Sequence, residues 1–148
     1  MGSSYGLHKF VNGSLLTSWA ESLQSISSFY AQSVGVVSSN PRGSGLLVAI
    51  GSELFSFDGR QFSRMLQLPT EIRSLVIGPY QIWLATANSG LYSVPMDDSE
   101  AIYWAFADKN EALPESYGYQ AVLMSDPHTL WIGSSRNGLI RLRGTYGQ

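Results

Sequence analysis

Leu130-Trp131-Ile132-Gly133-Ser134-Ser135-Arg136-Asn137-Gly138-Leu139-Ile140 reads as a strand, a tight turn and the start of a second strand. Two other stretches repeat that pattern. They are Ile82-Trp83-Leu84-Ala85-Thr86-Ala87-Asn88-Ser89-Gly90-Leu91-Tyr92 and Leu46-Leu47-Val48-Ala49-Ile50-Gly51-Ser52-Glu53-Leu54-Phe55. Gly6-Leu7-His8-Lys9-Phe10 carries the tail of a fourth copy. Leu7, Leu54, Leu91 and Leu139 therefore occupy equivalent places. The repeat fixes an architecture; it names no chemistry.

The leucines recur at intervals of roughly 40 to 50 residues, the range of four-stranded propeller blades and of some helical repeats. Local chemistry decides between the two. The segments are short, rich in Val, Ile, Trp, Tyr and Phe, and punctuated by Gly, Pro, Asn and Asp, as strands and turns are. The third unit shows this best. Ile72 to Ile77 predicts one strand and Gly78-Pro79-Tyr80-Gln81 a turn. Ile82 to Thr86 returns, Ala87 to Gly90 turns again, and Leu91 to Val94 and Ala101 to Phe106 complete four antiparallel strands. The second unit parses the same way, with Asp58-Gly59 as its hairpin signal. The predicted fold is all-β: propeller blades of four-stranded antiparallel sheets, forming an incomplete ring within this chain.

Residues 1–4 read as a cloning scar and are set aside. Residues 5–148 form one propeller-like domain, with a partial blade at 5–20, blades at 21–69 and 70–110, and a partial blade at 111–148. Glu21 to Tyr30, with Leu23, Ile26 and Phe29 at spacing three, predicts a short helical turn or an irregular connection. Asp108 to Tyr119 predicts a loop. The count comes to about three and a half blades, fewer than the roughly four a closed ring needs. An open stack exposes apolar faces and an unpaired edge. The chain is therefore expected to close by self-association, with a homodimer favoured, or to be part of a longer propeller.

Composition excludes several classes of function. A formal net charge of −2, with nine Lys and Arg among 148 residues, offers no electrostatic footprint for nucleic acid. The absence of cysteine removes disulfides, thiol catalysis and Cys-based zinc sites. No apolar run reaches the roughly 18 residues of a membrane span, so no membrane insertion is expected, and no signal peptide is visible. A hydrophobic content of 44% is ample for a core, and 15 glycines suit a protein of strands and turns.

The repeat resembles the two-component-regulator-type β-propeller repeat of bacterial sensors, with its Leu-Trp-Ile/Val-Gly-Thr strand, short turn and Gly-Leu strand. Trp131, Gly133, Gly138 and Leu139 are a close match, and Trp83, Gly90 and Leu91 a fair one. The copy ending Glu53-Leu54 departs from it: Leu replaces Trp, Glu replaces the Gly before Leu, and one turn residue is missing. The resemblance covers nearly the whole chain. It implies an extracytoplasmic sensory or scaffold module, without the signalling domains such modules usually adjoin.

Candidate sites are few. His8 and His128 are the only histidines and share no metal-ligand spacing. Asp97-Asp98-Ser99-Glu100 offers oxygen ligands for calcium without the loop pattern such a site uses. Glu111 and Glu115 are loop carboxylates that form no definable acid–base pair. Aromatic residues near blade ends stack on sugar rings or fill protein interfaces. Tyr117, Tyr119, Trp104 and His128 are the candidate ligand-binding residues, and Trp83 and Trp131 are assigned to packing between blades. No catalytic residue, metal or cofactor is expected. The predicted function is binding or sensing, of a small molecule, a carbohydrate or a protein, through blade-end loops. The alternative is a propeller lyase or glycan-active hydrolase with its site at the central channel.

Overall fold

In a computed structural model of the chain, the described residues are 2–3, 6–18, 34–41, 43–95, 102–104, 118–136 and 138–143. Among them every regular element is a β-strand. The segment Glu21 to Tyr30, whose helical turn was an alternative in the sequence, lies outside the described residues. The strands fall into four small sheets, each an antiparallel meander in chain order.

The first sheet is β1 (Gly2–Ser3), β2 (Gly6–Val11) and β3 (Ser14–Ser18). Asn12 and Gly13 turn the hairpin, both with positive φ, as a tight two-residue turn between twisted strands requires. Gly2 pairs with Leu7. Small residues also face the other repeat leucines: Ala49 pairs with Leu54, Ala85 with Leu91 and Gly133 with Leu139.

The second sheet is β4 (Val34–Ser39), β5 (Leu46–Ile50), β6 (Glu53–Phe57) and β7 (Phe62–Gln67). The Asp58-Gly59 signal marks the β6–β7 connection. There the Asp58 carboxylate accepts the N–H groups of Arg60 and Gln61, each at 2.8 Å. The third sheet is β8 (Ile72–Ile77), β9 (Gln81–Thr86), β10 (Leu91–Pro95) and β11 (Ile102–Trp104). The fourth is β12 (Tyr119–Asp126), β13 (Thr129–Ser134) and β14 (Gly138–Arg143).

The chain divides into two compact units, residues 1–68 and 69–148. Within each, one sheet is laid on the next by the same rule. In the first unit Leu7 is buried against Val34, Val48, Ile50, Phe55 and Phe57 of the second sheet. In the second unit Trp83, Ala85 and Leu91 are buried against Val122, Leu130, Ile132 and Leu142 of the fourth. Strand alternation explains the division of labour. One face of each sheet carries the repeat Leu and the residues beside it; the other carries the alternating aliphatic and aromatic set. The first kind of face meets the second kind.

The strands that begin the sheets also meet. β12 lies against β8 and β9, and β1 against β4. The Val122 N–H donates to the Ser74 hydroxyl at 3.1 Å, and Arg73 donates to the Gln120 side chain. The β9 strand is buried along its whole length. Its near-continuous apolar run, Ile82 to Ala85, is what burial on both faces demands.

Candidate functional site

The best-defined polar cluster sits where β12 turns into β13, at Ser125 to Thr129. Pro127 and His128 make the turn, and Asp126 holds it. The Asp126 carboxylate accepts the His128 backbone N–H at 2.9 Å, an Asx-type closure that fixes the backbone. That N–H is the main cause of an Asp126 carboxyl held below the usual carboxylate range. The Thr129 and Ser125 hydroxyls and the Arg143 charge act in the same direction. His128 is exposed at the tip.

Ser125 links the turn to the outer face of the fourth sheet. Its hydroxyl donates to Asp126 at 3.4 Å and accepts the Trp131 indole N–H at 3.1 Å. Leu123, Trp131 and Arg141 are successive cross-strand partners and so share that face. The Arg141 guanidinium lies 5.7 Å from the Trp131 ring centroid, within cation–π range. Ala121, Gly133 and Leu139 form the adjoining row.

The sequence candidates fare differently. Tyr119 is no loop residue: it opens β12 and is fully buried, packed with Trp83 and Leu130 in the core of its unit. Its ring has no exposed surface on which to stack a ligand. Trp131, assigned to packing between blades, is half-buried on the outer face, whereas Trp83 is fully buried. Trp104 lies in β11 paired with Leu91. His8 lies in β2 paired with Ser18. Tyr117, Glu111, Glu115 and the Asp97-to-Glu100 cluster lie outside the described residues. Of the two ligand candidates whose side chains are described, Tyr119 is buried and His128 is exposed at a sheet end.

Ser125, Leu123 and Arg141 were not singled out in the sequence, although a signal existed. Once Trp131 is turned outward, the register makes Leu123 and Arg141 its neighbours. The register depends on irregularities within β12, between Tyr119 and Ala121 and between Met124 and Asp126. No periodic pattern marks those positions.

The Asp126 interactions make a prediction about acid. A carboxyl whose folded pKa is depressed contributes stability above its unfolded value, about 3.9. That contribution disappears as pH falls through the folded value. Asp126→Asn is therefore expected to be less stable than the parent at neutral pH, with the gap closing below about pH 4. Urea midpoints measured from pH 2 to pH 7 read this directly. A gap independent of pH would refute the role given to the charge.

The fold and this cluster define an all-β protein of stacked antiparallel meanders, with a braced turn at one sheet end. Among the described residues no helix is long and apolar enough to cross a membrane. Comparison with protein-family models, with characterised proteins and with solved structures finds no match.

Proposed function

We propose that this chain is a non-catalytic binding module of the β-propeller type, which recognises its ligand through sheet-end turns and completes its ring by self-association. The observation that carries the reading is the repeated stacking rule. In both units, successive meander sheets pack the repeat-Leu face on the alternating apolar face, and the strand that begins the following sheet lies against the preceding one. Radially arranged propeller blades are built this way. Self-association is supported by the exposed apolar side chains Phe10 and Leu15 on the first sheet and Leu123 and Leu139 on the fourth.

Recognition is assigned to the Ser125–Thr129 turn. Loops fixed by a rigid sheet carry binding groups at little ordering cost. Here Asp126 fixes the backbone while His128 and the carboxylate rim face solvent. The ligand class that suits this turn is a small polar molecule or a sugar, hydrogen-bonded by imidazole and carboxylate.

The test is calorimetric titration with a panel of mono- and oligosaccharides and small organic acids, on the parent and on His128→Ala. Saturable binding that weakens about tenfold in the variant, the loss of one or two hydrogen bonds, is the expected result. Binding that His128→Ala leaves unchanged would move recognition elsewhere. Consumption of any panel glycan that survives repurification would overturn the non-catalytic reading.

A further inference from the structure

Among the described residues, each of the two kinds of face that stack inside a unit also has an exposed example. On the fourth sheet the repeat-Leu face is open: Leu139 is 70% exposed and Leu123 61%, and Trp131, on the middle strand, pairs with Leu123 in one row while Leu139 pairs with Gly133 in the next. Their counterparts on the third sheet, Leu91 and Trp83, are both 0% exposed beneath the fourth. On the first sheet the opposite kind of face is open. Leu7 is buried against the second sheet, and alternation along β2 puts Phe10 on the other side. Phe10 is 47% exposed, and its cross-strand partner Leu15 is 57% exposed.

These open faces are a matching pair by the chain's own rule. Phe10 holds the place that Phe57 and Leu142 hold in the second and fourth sheets, three residues after the repeat leucine. Both of those side chains are buried beneath a neighbouring sheet's repeat leucine or its flanking residues. We propose that the exposed face of the fourth sheet, at Leu123, Trp131 and Leu139, is the seat for the Phe10–Leu15 face of a second copy of this chain. The contact is head to tail. It rests on the propeller reading above and adds to it the surfaces and the polarity of closure. Such a heterologous contact uses two different patches, and it ends in a ring when the rotation closes. Two self-complementary faces would instead give an isologous dimer.

The absence of native cysteine makes the test clean. Phe10→Cys and Leu139→Cys are prepared separately, mixed and oxidised mildly. Both sites are exposed, and circular dichroism melts matching the parent establish that each variant folds. The expected product is a mixed disulfide between the two variants, formed in preference to either homodimer. Leu139→Asp should shift the parent, by light scattering, from a multiple of 16.2 kDa to the single-chain mass.

A dominant Leu139→Cys homodimer overturns the proposal in favour of an isologous contact. A Phe10→Cys/Leu139→Cys double variant that closes its disulfide within one chain overturns it in favour of closure in cis. A parent that is monomeric at tens of micromolar, with no mixed disulfide, overturns it outright. Small-angle scattering separates this outcome from the fate of the propeller itself. A ring-shaped profile without the mixed disulfide retains the propeller and rejects these surfaces. The mixed disulfide in an extended particle does the reverse.

Discussion

Trp83→Ala is expected to cost about 3–5 kcal/mol of unfolding free energy, while Trp131→Ala costs about 1–2 kcal/mol. The two tryptophans occupy the same place in the repeat, so the difference arises from what covers them. Trp83 has no exposed surface and packs with Ala85, Leu91, Tyr119, Val122, Leu130, Ile132 and Leu142. Removing it empties a volume that sheets on either side cannot collapse to fill, and the cavity adds to the lost transfer energy. Trp131 loses one indole hydrogen bond, to Ser125, and a guanidinium contact with Arg141, both in reach of water. Trp83→Leu should fall between the two, because Leu47 fills the corresponding place in the second sheet at 1% exposure. Urea unfolding followed by far-ultraviolet circular dichroism measures all three. The experiment is run at low micromolar concentration, where assembly contributes least. Equal costs for the two alanine variants would show that the repeat places are equivalent in packing, contrary to the structure.

That contrast also marks what the sequence disclosed. Strand positions were legible because period-two alternation and turn residues act locally. Ile72 to Ile77 and Leu46 to Ile50 coincide with strands β8 and β5, and Asn12-Gly13 and Asp58-Gly59 sit in their turns. The all-β class followed. Which face of each strand is covered was not legible, since Trp83 and Trp131 lie in strings of the same apolar and turn pattern. Their environments are set by a neighbouring sheet distant in sequence. Tyr119 was misplaced for a related reason. Pro114 and the carboxylates before it read as loop, and nothing local shows that the chain enters β12 at Gly118 with Tyr119 directed into the core. The turn at Ser125 to Thr129 carries a local signal in Asp126-Pro127. Its link to Trp131 depends on tertiary register and was not legible.

Gly118→Ala is expected to cost about 3 kcal/mol or more, against about 1 kcal/mol for Gly138→Ala. Both glycines have positive φ, +73° and +67°, so a side chain pays the left-handed backbone cost at either position. Their surroundings separate them. A methyl group on Gly138 meets nothing within 4 Å, whereas one on Gly118 would overlap the Ala87 carbonyl oxygen. Ala87 follows β9, and its N–H is already bonded to the Glu71 carbonyl at 2.9 Å. The oxygen belongs to the backbone, and no rotamer change moves it aside. Gly118 is held from its other side, where its carbonyl accepts the Ser135 N–H at 3.3 Å. Relief therefore requires the start of β12 to move away from the third sheet, opening the contact that buries Tyr119 and Trp83. Amide hydrogen exchange adds a spatial readout to the unfolding measurement. In Gly118→Ala, exchange should accelerate in β8, β9 and β12, where the sheets meet, and stay unchanged in β5 and β6 of the other unit. Similar unfolding costs for the two glycine variants, or uniform acceleration across both units, would refute the close approach at Gly118 as the pin between these sheets.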